Sequence, residues 1–392
     1  MSSDLGPGYD RANSAVPRRL CLMVTSGSTA TAFLRGYIDY LVADGWQVAL
    51  ICSNGPGVAE MAKAAGARYF PLEMNRDPSP LKDMASLLSA FALLRRLRPD
   101  AVVYATPKAA LIGALASYIA GVPQRVYEVW GLRLETSRGL ARRLFAVFEK
   151  LTVDLSTRVI ANSRSLAERM RDLGVAGRAP VLVLGAGSSH GVDTERFSAR
   201  ASMPLLDETL SRELAESDAP IVGFVGRLNP DKGIDVLTEA IKLCVDRGVS
   251  LQVLIVGRAD GAAVTPLVRA GQGKAVVHIA GFVTDPRACF KAMDILVLPS
   301  RREGFPNVVL EAAGMEVPAI VSDATGSIDS VVHGVTGIVT PTGDSGALAD
   351  AIIRLVDDTG LRRSMGQAAR LRAVNEFQPR QVWAAHSDAW RA

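Results

Sequence analysis

From residue 19 onward, short apolar runs alternate with longer stretches whose apolar positions recur every three to four residues. The short runs read as strands buried on both faces, and the longer stretches read as helices packed against them. In the first half, strands are expected at Leu20–Val24, Gln47–Cys52, Arg68–Pro71, Ala101–Tyr104, Arg125–Glu128, Arg158–Ala161 and Val181–Leu184. A helical stretch is expected after the first strand as far as Asp44, closed by Gly45. Further helices are expected near Val58–Ala65, from Pro80 to Arg98 with Pro99 as the stop, and over 108–120.

After an irregular segment near 186–219 the alternation restarts. Strands are expected at Ile221–Gly226, Leu251–Val256, Val276–Ala280, Ile295–Pro299, Ala319–Ser322 and Ile338–Thr340, with helices near 233–246, 262–270, 286–293, 306–315, 326–332 and 345–356. The pattern therefore predicts an α/β protein of two facing doubly wound, Rossmann-like domains, whose cleft is where such sheets bind ligands. Gly360–Arg391 is helical, carries Phe377, Trp383 and Trp390, and has no strand after it, so it is expected to brace the two domains. The expected partition is a disordered tail (1–17), an N-terminal domain (18–190), a linker (191–219), a C-terminal domain (220–372) and a helix crossing back to the N-terminal domain (373–392).

A length of 392 residues suits two domains of ordinary size. With 48% hydrophobic and 21% charged residues, the chain has the composition of a folded globular protein and not of a disordered one. A formal charge of +4 gives no bulk electrostatic case for binding nucleic acid. Cys21, Cys52, Cys244 and Cys289 form neither a close pair nor a metal-ligand spacing; they read as reduced packing residues, in keeping with the cytoplasm. Residues 1–17 lack the apolar core of a signal peptide, and the longest apolar stretch, Ala109–Val122, is too short to span a bilayer. Arg138, Arg142, Arg143 and Lys150 punctuate Leu140, Leu144, Phe145, Val147, Phe148 and Leu151 at helical spacing. The apolar face is read as an ordinary packed face with a solvated rim, while the cations would still attract lipid headgroups.

Two segments carry candidate chemistry. Pro299–Glu311 begins where a strand ends and finishes inside a helix, with Pro306 suited to the helix's first turn and free amides at its start that favour phosphate oxygens. Glu303 before the helix and Glu311 within it can each accept hydrogen bonds from vicinal hydroxyls, and so hold two polyol parts of one extended ligand. Gly223–Gly233 places Gly226 at a strand end and the cations Arg227 and Lys232 at the cleft mouth, where they would stabilise a departing diphosphate. Singly, each of these residues reads as readily as a solvated loop or helix residue.

Gly226-Arg227-Leu228 with Lys232-Gly233, followed by Glu303 and Glu311 at their eight-residue spacing, resembles the family-4 glycosyltransferases of the GT-B fold, over nearly the whole chain and most strongly from 220 to 345. The resemblance implies a nucleotide-sugar donor in the 220–372 domain and an acceptor in the 18–190 domain. It implies that Arg227 and Lys232 grip the donor diphosphate and that Glu303, with the backbone of Gly304, Phe305, Pro306 and Asn307, surrounds the sugar. Glu311 would hold the ribose, the Val308 and Val309 amides would meet phosphate, and Phe282 and Val283 after Gly281 would receive the base. It further implies transfer with retention of anomeric configuration, no metal and no cofactor, the nucleotide sugar being a substrate.

Thr106–Leu111, Trp130–Thr136, Ala161–Leu166 and Gly187–Asp193 are similar to bacterial enzymes that extend sugars on undecaprenyl diphosphate. That likeness implies a glycan or polyprenyl-diphosphate-linked acceptor in cell-surface polysaccharide assembly, a UDP-sugar in preference to a GDP-sugar, and a cytoplasmic protein with peripheral contact at the inner membrane surface. Ser26-Gly27-Ser28 stands where many relatives carry two adjacent glycines, so Gly27 and Ser28 are the candidate phosphate loop. Tyr104–Lys108 lacks the cleft histidine of many relatives; Lys108 is the candidate for the acceptor phosphate or merely a helix start, and His190 reads as a turn residue. A nucleotide-sugar epimerase on the same fold would consume donor without acceptor, and a non-catalytic scaffold would bind nucleotide without turnover.

Overall fold

The computed structural model describes residues 18–75, 79–177, 180–262, 265–271 and 274–391; the expected disordered tail lies outside them. In the N-terminal half, β1 (Arg18–Ser26), β2 (Trp46–Ser53), β3 (Arg68–Pro71), β4 (Ala101–Ala105), β5 (Gln124–Val129), β6 (Arg158–Ala161) and β7 (Val181–Leu182) form one parallel sheet. Its order is β3-β2-β1-β4-β5-β6-β7. Successive residues of a strand point to opposite faces. Leu20, Leu22 and Val24 thus pack under α1 (Gly27–Phe33), α2 (Tyr37–Ala43) and α3 (Val58–Ala64). Cys21 and Met23 pack under α4 (Pro80–Leu97), α5 (Pro107–Ile119), α6 (Gly139–Leu155) and α7 (Arg164–Asp172).

The C-terminal half opens with α8 (Glu208–Leu214) and builds a second parallel sheet from β8 (Ile221–Val225), β9 (Leu251–Val256), β10 (Ala275–Gly281), β11 (Ile295–Leu298), β12 (Ala319–Ser322) and β13 (Gly337–Thr340). Its order is β10-β9-β8-β11-β12-β13. The helices between are α9 (Ile234–Asp246), α10 (Thr265–Ala270), α11 (Arg287–Ala292), α12 (Asn307–Gly314) and α13 (Ser327–Ser330); α14 (Ser345–Asp357), α15 (Thr359–Glu376) and α16 (Pro379–Arg391) follow. In both sheets the strand order reverses beside the first strand, between β1 and β4 and between β8 and β11. Those reversals open the crevices in which α/β sheets bind ligands. The loops leaving these four strands carry Gly27–Ser28, Thr106–Lys108, Gly226–Gly233 and Pro299–Pro306.

Several elements depart from the pattern-based expectation. The first helical stretch breaks into α1 and α2 around Gly36. The segment expected as an irregular linker is packed: Val192, Phe197, Leu210 and Leu214 belong to the second core, and Asp207 caps α8 by accepting from the Leu210 amide at 3.1 Å. The brace is two helices. Met365, Ala369 and Ala373 of α15 stay in the second core, and the chain crosses after Phe377 so that Trp390 of α16 joins the first. There Trp383 stacks on Tyr37 at 5.3 Å, Trp46 Nε1 donates to Ser387 Oγ at 2.7 Å, and His386 Nδ1 lies 2.6 Å from Glu128 Oε1 with both groups buried.

Helix α6 overturns the reading of its apolar residues as one packed face. Glu149, Thr152 and Val153 turn inward, but Leu140, Leu144, Val147 and Leu151 are exposed on the opposite side. All four cysteines are free and buried, and burial pushes the Cys21 thiol up to about 12. No helix among the described residues is long and apolar enough to cross a membrane.

Candidate active site

The loop after β11 is held from three sides. The Glu303 amide donates to the Thr325 carbonyl at 2.8 Å, and Glu303 Oε1 accepts from Ser300 Oγ at 2.7 Å while pairing with Lys232 Nζ from the loop after β8. The two sequence motifs thus meet at one carboxylate oxygen. Gly304 presses against the other domain: a methyl group on it would overlap the Trp130 carbonyl, so only glycine permits this approach. Phe305 is buried, with its ring 5.4 Å from Phe377. Pro306 is the N-cap of α12 and not, as expected, a residue of its first turn. The Val309 amide, expected to meet phosphate, already donates to the Pro306 carbonyl at 3.1 Å. The Asn307 and Val308 amides at the helix start remain for that role.

Glu311 follows on α12, half-buried, and its carboxyl has no hydrogen-bond partner among the described residues. Burial pushes its pKa up to about 7; Arg196 opposes the shift and Asp285 adds to it. Asp285 itself is held down to about 2, chiefly by Arg287, whose Nη2 lies 2.7 Å from its Oδ2. The base-side residues are close in sequence to this cluster. Phe282 is 65% exposed, with the Arg258 guanidinium 5.1 Å above its ring, and Val283 packs on the second core.

The cations expected to work as a pair are separated by their partners. Lys232 is committed to Glu303, whereas Arg227 is exposed and lies 3.2 Å from Asp260. Two further ion pairs join the start of the loop after β11 to the segment leading into α9, Arg302 to Asp231 at 2.5 Å and Arg301 to Asp235 at 2.6 Å.

In the N-terminal domain, Ser26 caps α1, and a Cβ on Gly27 would lie 2.8 Å from the Gly55 amide nitrogen, so this glycine serves the approach of two loops. Ser28 is exposed, its hydroxyl 3.1 Å from that of Ser26. Lys108, the candidate for the acceptor phosphate or a helix start, stands at the beginning of α5. Its ammonium is largely buried and bonds Asp83 at 2.5 Å, tying the starts of α4 and α5 together. His190 is wedged between the rings of Phe33 and Trp130, at 4.8 and 4.9 Å, with Nδ1 2.6 Å from Ser189 Oγ. Burial lowers its pKa to about 4, so it is neutral at ordinary pH.

The cross-cleft contacts escaped the sequence reading. Thr325 Oγ1 donates to Glu135 Oε1 at 2.7 Å, the Gly326 amide donates to Ser165 Oγ at 2.8 Å, and the Ser165 amide donates to Asp329 at 3.2 Å. Arg302 Nε donates to Thr136 Oγ1 at 3.0 Å. The one local signal was Ser163, which caps α7 through the Leu166 amide and so leaves Ser165 to face outward.

The chain matches two family models, "Glycosyl transferase 4-like domain" over residues 28–187 and "Glycosyl transferases group 1" over 219–358. It is 34% identical to the capsular polysaccharide biosynthesis glycosyltransferase CapM of Staphylococcus aureus, over 91% of this chain and 92% of that one. It is 27% identical to the Escherichia coli UDP-Gal:alpha-D-GlcNAc-diphosphoundecaprenol alpha-1,3-galactosyltransferase, over 86% and 87%. The fold is that of sucrose-phosphate synthase from Thermosynechococcus elongatus (TM-score 0.78, 21% identity, 95% and 98% covered) and of Anabaena Alr3699/HepE in complex with UDP (TM-score 0.74, 22% identity, 95% and 99% covered). With the Lys232–Glu303 junction at the β8/β11 crevice, the paired domain matches and the full-length likeness to CapM, this chain belongs to the group 1 glycosyltransferases of the GT-B fold and is a glycosyltransferase.

Proposed function

We propose that this enzyme transfers a sugar from a UDP-sugar to a polyprenyl-diphosphate-linked acceptor in cell-surface polysaccharide assembly, with retention and without a metal. The observation that carries the reading is the Ser300–Glu303–Lys232 cluster, set against Trp130 of the facing domain, with the unpartnered Glu311 farther along α12. Glu303, with one oxygen fixed, presents the other to sugar hydroxyls. Lys232 neutralises the diphosphate as the anomeric C–O bond breaks, doing the work a metal would otherwise do, and exposed Arg227 joins it on leaving Asp260. The acceptor hydroxyl attacks from the face that the diphosphate leaves and passes its proton to a leaving-phosphate oxygen, so configuration is kept. Glu311 accepts from the ribose hydroxyls.

The donor and acceptor assignments draw on relatives. The E. coli enzyme is named for UDP-galactose and a diphosphoundecaprenol acceptor, and a Campylobacter jejuni relative, 28% identical over 71% of this chain, for N,N'-diacetylbacillosaminyl-diphospho-undecaprenol. Such acceptors lie in the membrane, which supports a cytoplasmic protein with peripheral contact at the inner membrane surface. A thermal-shift screen of UDP, GDP and their sugar conjugates tests the donor, because a ligand of the native state alone raises apparent stability. Stabilisation by UDP-sugars that is lost in Glu311→Ala is expected; stabilisation by GDP-sugars alone would reassign the base, and none by any nucleotide would reject the site. Product anomer by NMR, with and without EDTA, tests retention and metal independence.

A further inference from the structure

The turn 323–326, between β12 and α13, stands between the donor loop and the facing domain. On one side this segment backs the donor loop. Ser322 Oγ donates to the Ser300 carbonyl, and the Thr325 carbonyl accepts from the Glu303 amide at 2.8 Å. A Cβ on Gly326 would come within 2.5 Å of the Gly304 oxygen, and its φ is +78°, so this close approach requires glycine.

On its other side the turn is held by the N-terminal domain. Glu135 Oε1 accepts from Thr325 Oγ1 at 2.7 Å, and Ser165 Oγ accepts from the Gly326 amide at 2.8 Å. Thr325 is the direct link: its hydroxyl bonds one domain, and its carbonyl bonds the backbone of Glu303. Threonine is β-branched and stiff at χ1, so fixing the hydroxyl also fixes the backbone beside it.

Glu135 is poorly explained as a contact that merely holds the fold. Its side chain is only 8% exposed. Oε1 also accepts from Arg169 Nε at 3.2 Å, yet Oε2 is buried with no hydrogen-bond partner among the described residues. Burying a carboxylate with one oxygen unpaired is destabilising, and a neutral acceptor would join the domains at lower cost. What an ionised acceptor adds is a shorter and stronger bond to the Thr325 hydroxyl.

We propose that Glu135 is a positioning residue of the transfer reaction. Through Thr325 it sets the backbone of Glu303, so the donor sugar is gripped in the transfer geometry only when the facing domain is docked. The proposal rests on the assignment of Glu303 to the donor sugar above. When the domains part, Thr325 Oγ1 and the Gly326 amide lose their partners together, and the Glu303 amide is left on an unfixed carbonyl. Glu303 keeps Ser300 and Lys232 on Oε1, but Oε2, which faces the sugar, has no fixed backbone behind it. The ribose and base contacts are made by other segments, so nucleotide affinity does not depend on the turn. A grip present only in the closed form ties the affinity for the sugar to closure.

The test uses the full chain and calorimetric titration with UDP, UDP-galactose, UDP-glucose and UDP-N-acetylglucosamine. The quantity read is the ratio of UDP-sugar affinity to UDP affinity, which a general loss of structure does not move. Glu303→Ala should lower the ratio by about tenfold. Thr325→Val, which keeps the shape and removes the hydroxyl, should lower it by about threefold to tenfold with UDP affinity unchanged. Glu135→Ala should do the same, the double variant should lose no more than either, and Thr325→Ser should restore the wild-type ratio. Hydrogen exchange of the Glu303 amide should quicken in Thr325→Val and Glu135→Ala alike. A ratio that falls in Glu303→Ala but not in both Thr325→Val and Glu135→Ala overturns the relay. So do additive losses in the double variant, unchanged exchange at Glu303, or an equal loss of UDP and UDP-sugar affinity. A ratio unchanged in Glu303→Ala, or no binding of any of these ligands, overturns instead the donor-sugar reading beneath it.

Discussion

Lys232 has two duties that substitution separates. Its ammonium pairs with Glu303, and the proposed mechanism also gives it the departing diphosphate. A charge-assisted contact of about 1.5–3 kcal/mol converts to roughly tenfold to a hundredfold in rate. Lys232→Ala is therefore expected to lower turnover by that factor with an unchanged far-UV circular dichroism spectrum. Ser300→Ala, which removes one contact to Glu303 and leaves the Lys232 pair in place, should cost less; near-normal turnover in Lys232→Ala would remove the diphosphate role. Glu311 gives a second residue-scale prediction. Its pKa is raised from the usual 4.5 to about 7, so its own contribution to stability is full below 4.5 and declines as pH rises through 7. Ribose hydroxyls donate best to the ionised form. UDP affinity should therefore rise by about tenfold between about pH 6 and pH 8, measured by calorimetry, and Glu311→Gln should bind weakly and without that slope.

At the scale of elements, α16 is where one domain's stability depends on the other's chain. Burial alone would raise the Glu128 carboxyl, but the His386 ring beside it outweighs burial and holds the pKa below the ordinary value. Breaking a buried pair leaves a lone charge at a cost of about 3–5 kcal/mol. His386→Ala should lower the urea midpoint accordingly, and pairing it with Glu128→Gln should recover part of the loss. The pH dependence has the same sign for both neighbours. His190, pushed down from 6.5 to about 4, contributes stability in full above 6.5 and loses it as pH falls toward 4; Glu128 contributes above 4.5 and loses it below. Glu311 and Glu149, whose carboxyls burial pushes up to about 7, act in the opposite direction over the same window. The urea midpoint of wild type should therefore fall between about pH 7 and pH 5 relative to that of His190→Phe, which keeps both carboxyls. The core strands and helices were legible from pattern because runs such as Leu20–Val24 and Leu251–Val256 are buried on both faces and leave no ambiguity of period. What pattern left open was which side of an element meets protein. On α6, apolar residues point both inward and outward, and on residues 192–214 only the structure shows that Val192, Phe197, Leu210 and Leu214 pack into the second core.

Over the whole molecule, local motifs marked the loops at the strand ends but not which loops face each other. The Lys232–Glu303 contact joins residues 71 positions apart, and the contacts of Thr325 and Ser165 span 190 and 164 positions. No short window of sequence contains such a pairing. These cross-cleft bonds hold the domains together directly over the site, while the crossing at Gln378 joins them behind it. Interfaces between domains of one chain are usually small and polar enough to open. Asp329 is the acceptor that fixes Ser165, and Ser165 in turn holds the Gly326 amide next to Gly304. Asp329→Ala should therefore enlarge the radius of gyration measured by X-ray scattering without donor and lower kcat, because the Trp130 wall no longer abuts the Glu303 loop. UDP-sugar should restore part of the compactness, since a donor held by the Glu303 loop and touched by the facing domain binds the closed form better than the open one. An unchanged radius with reduced kcat would place the effect of Asp329 in the local geometry of Ser165 and Gly326, and closure would then have to be held by Glu135 and Thr136.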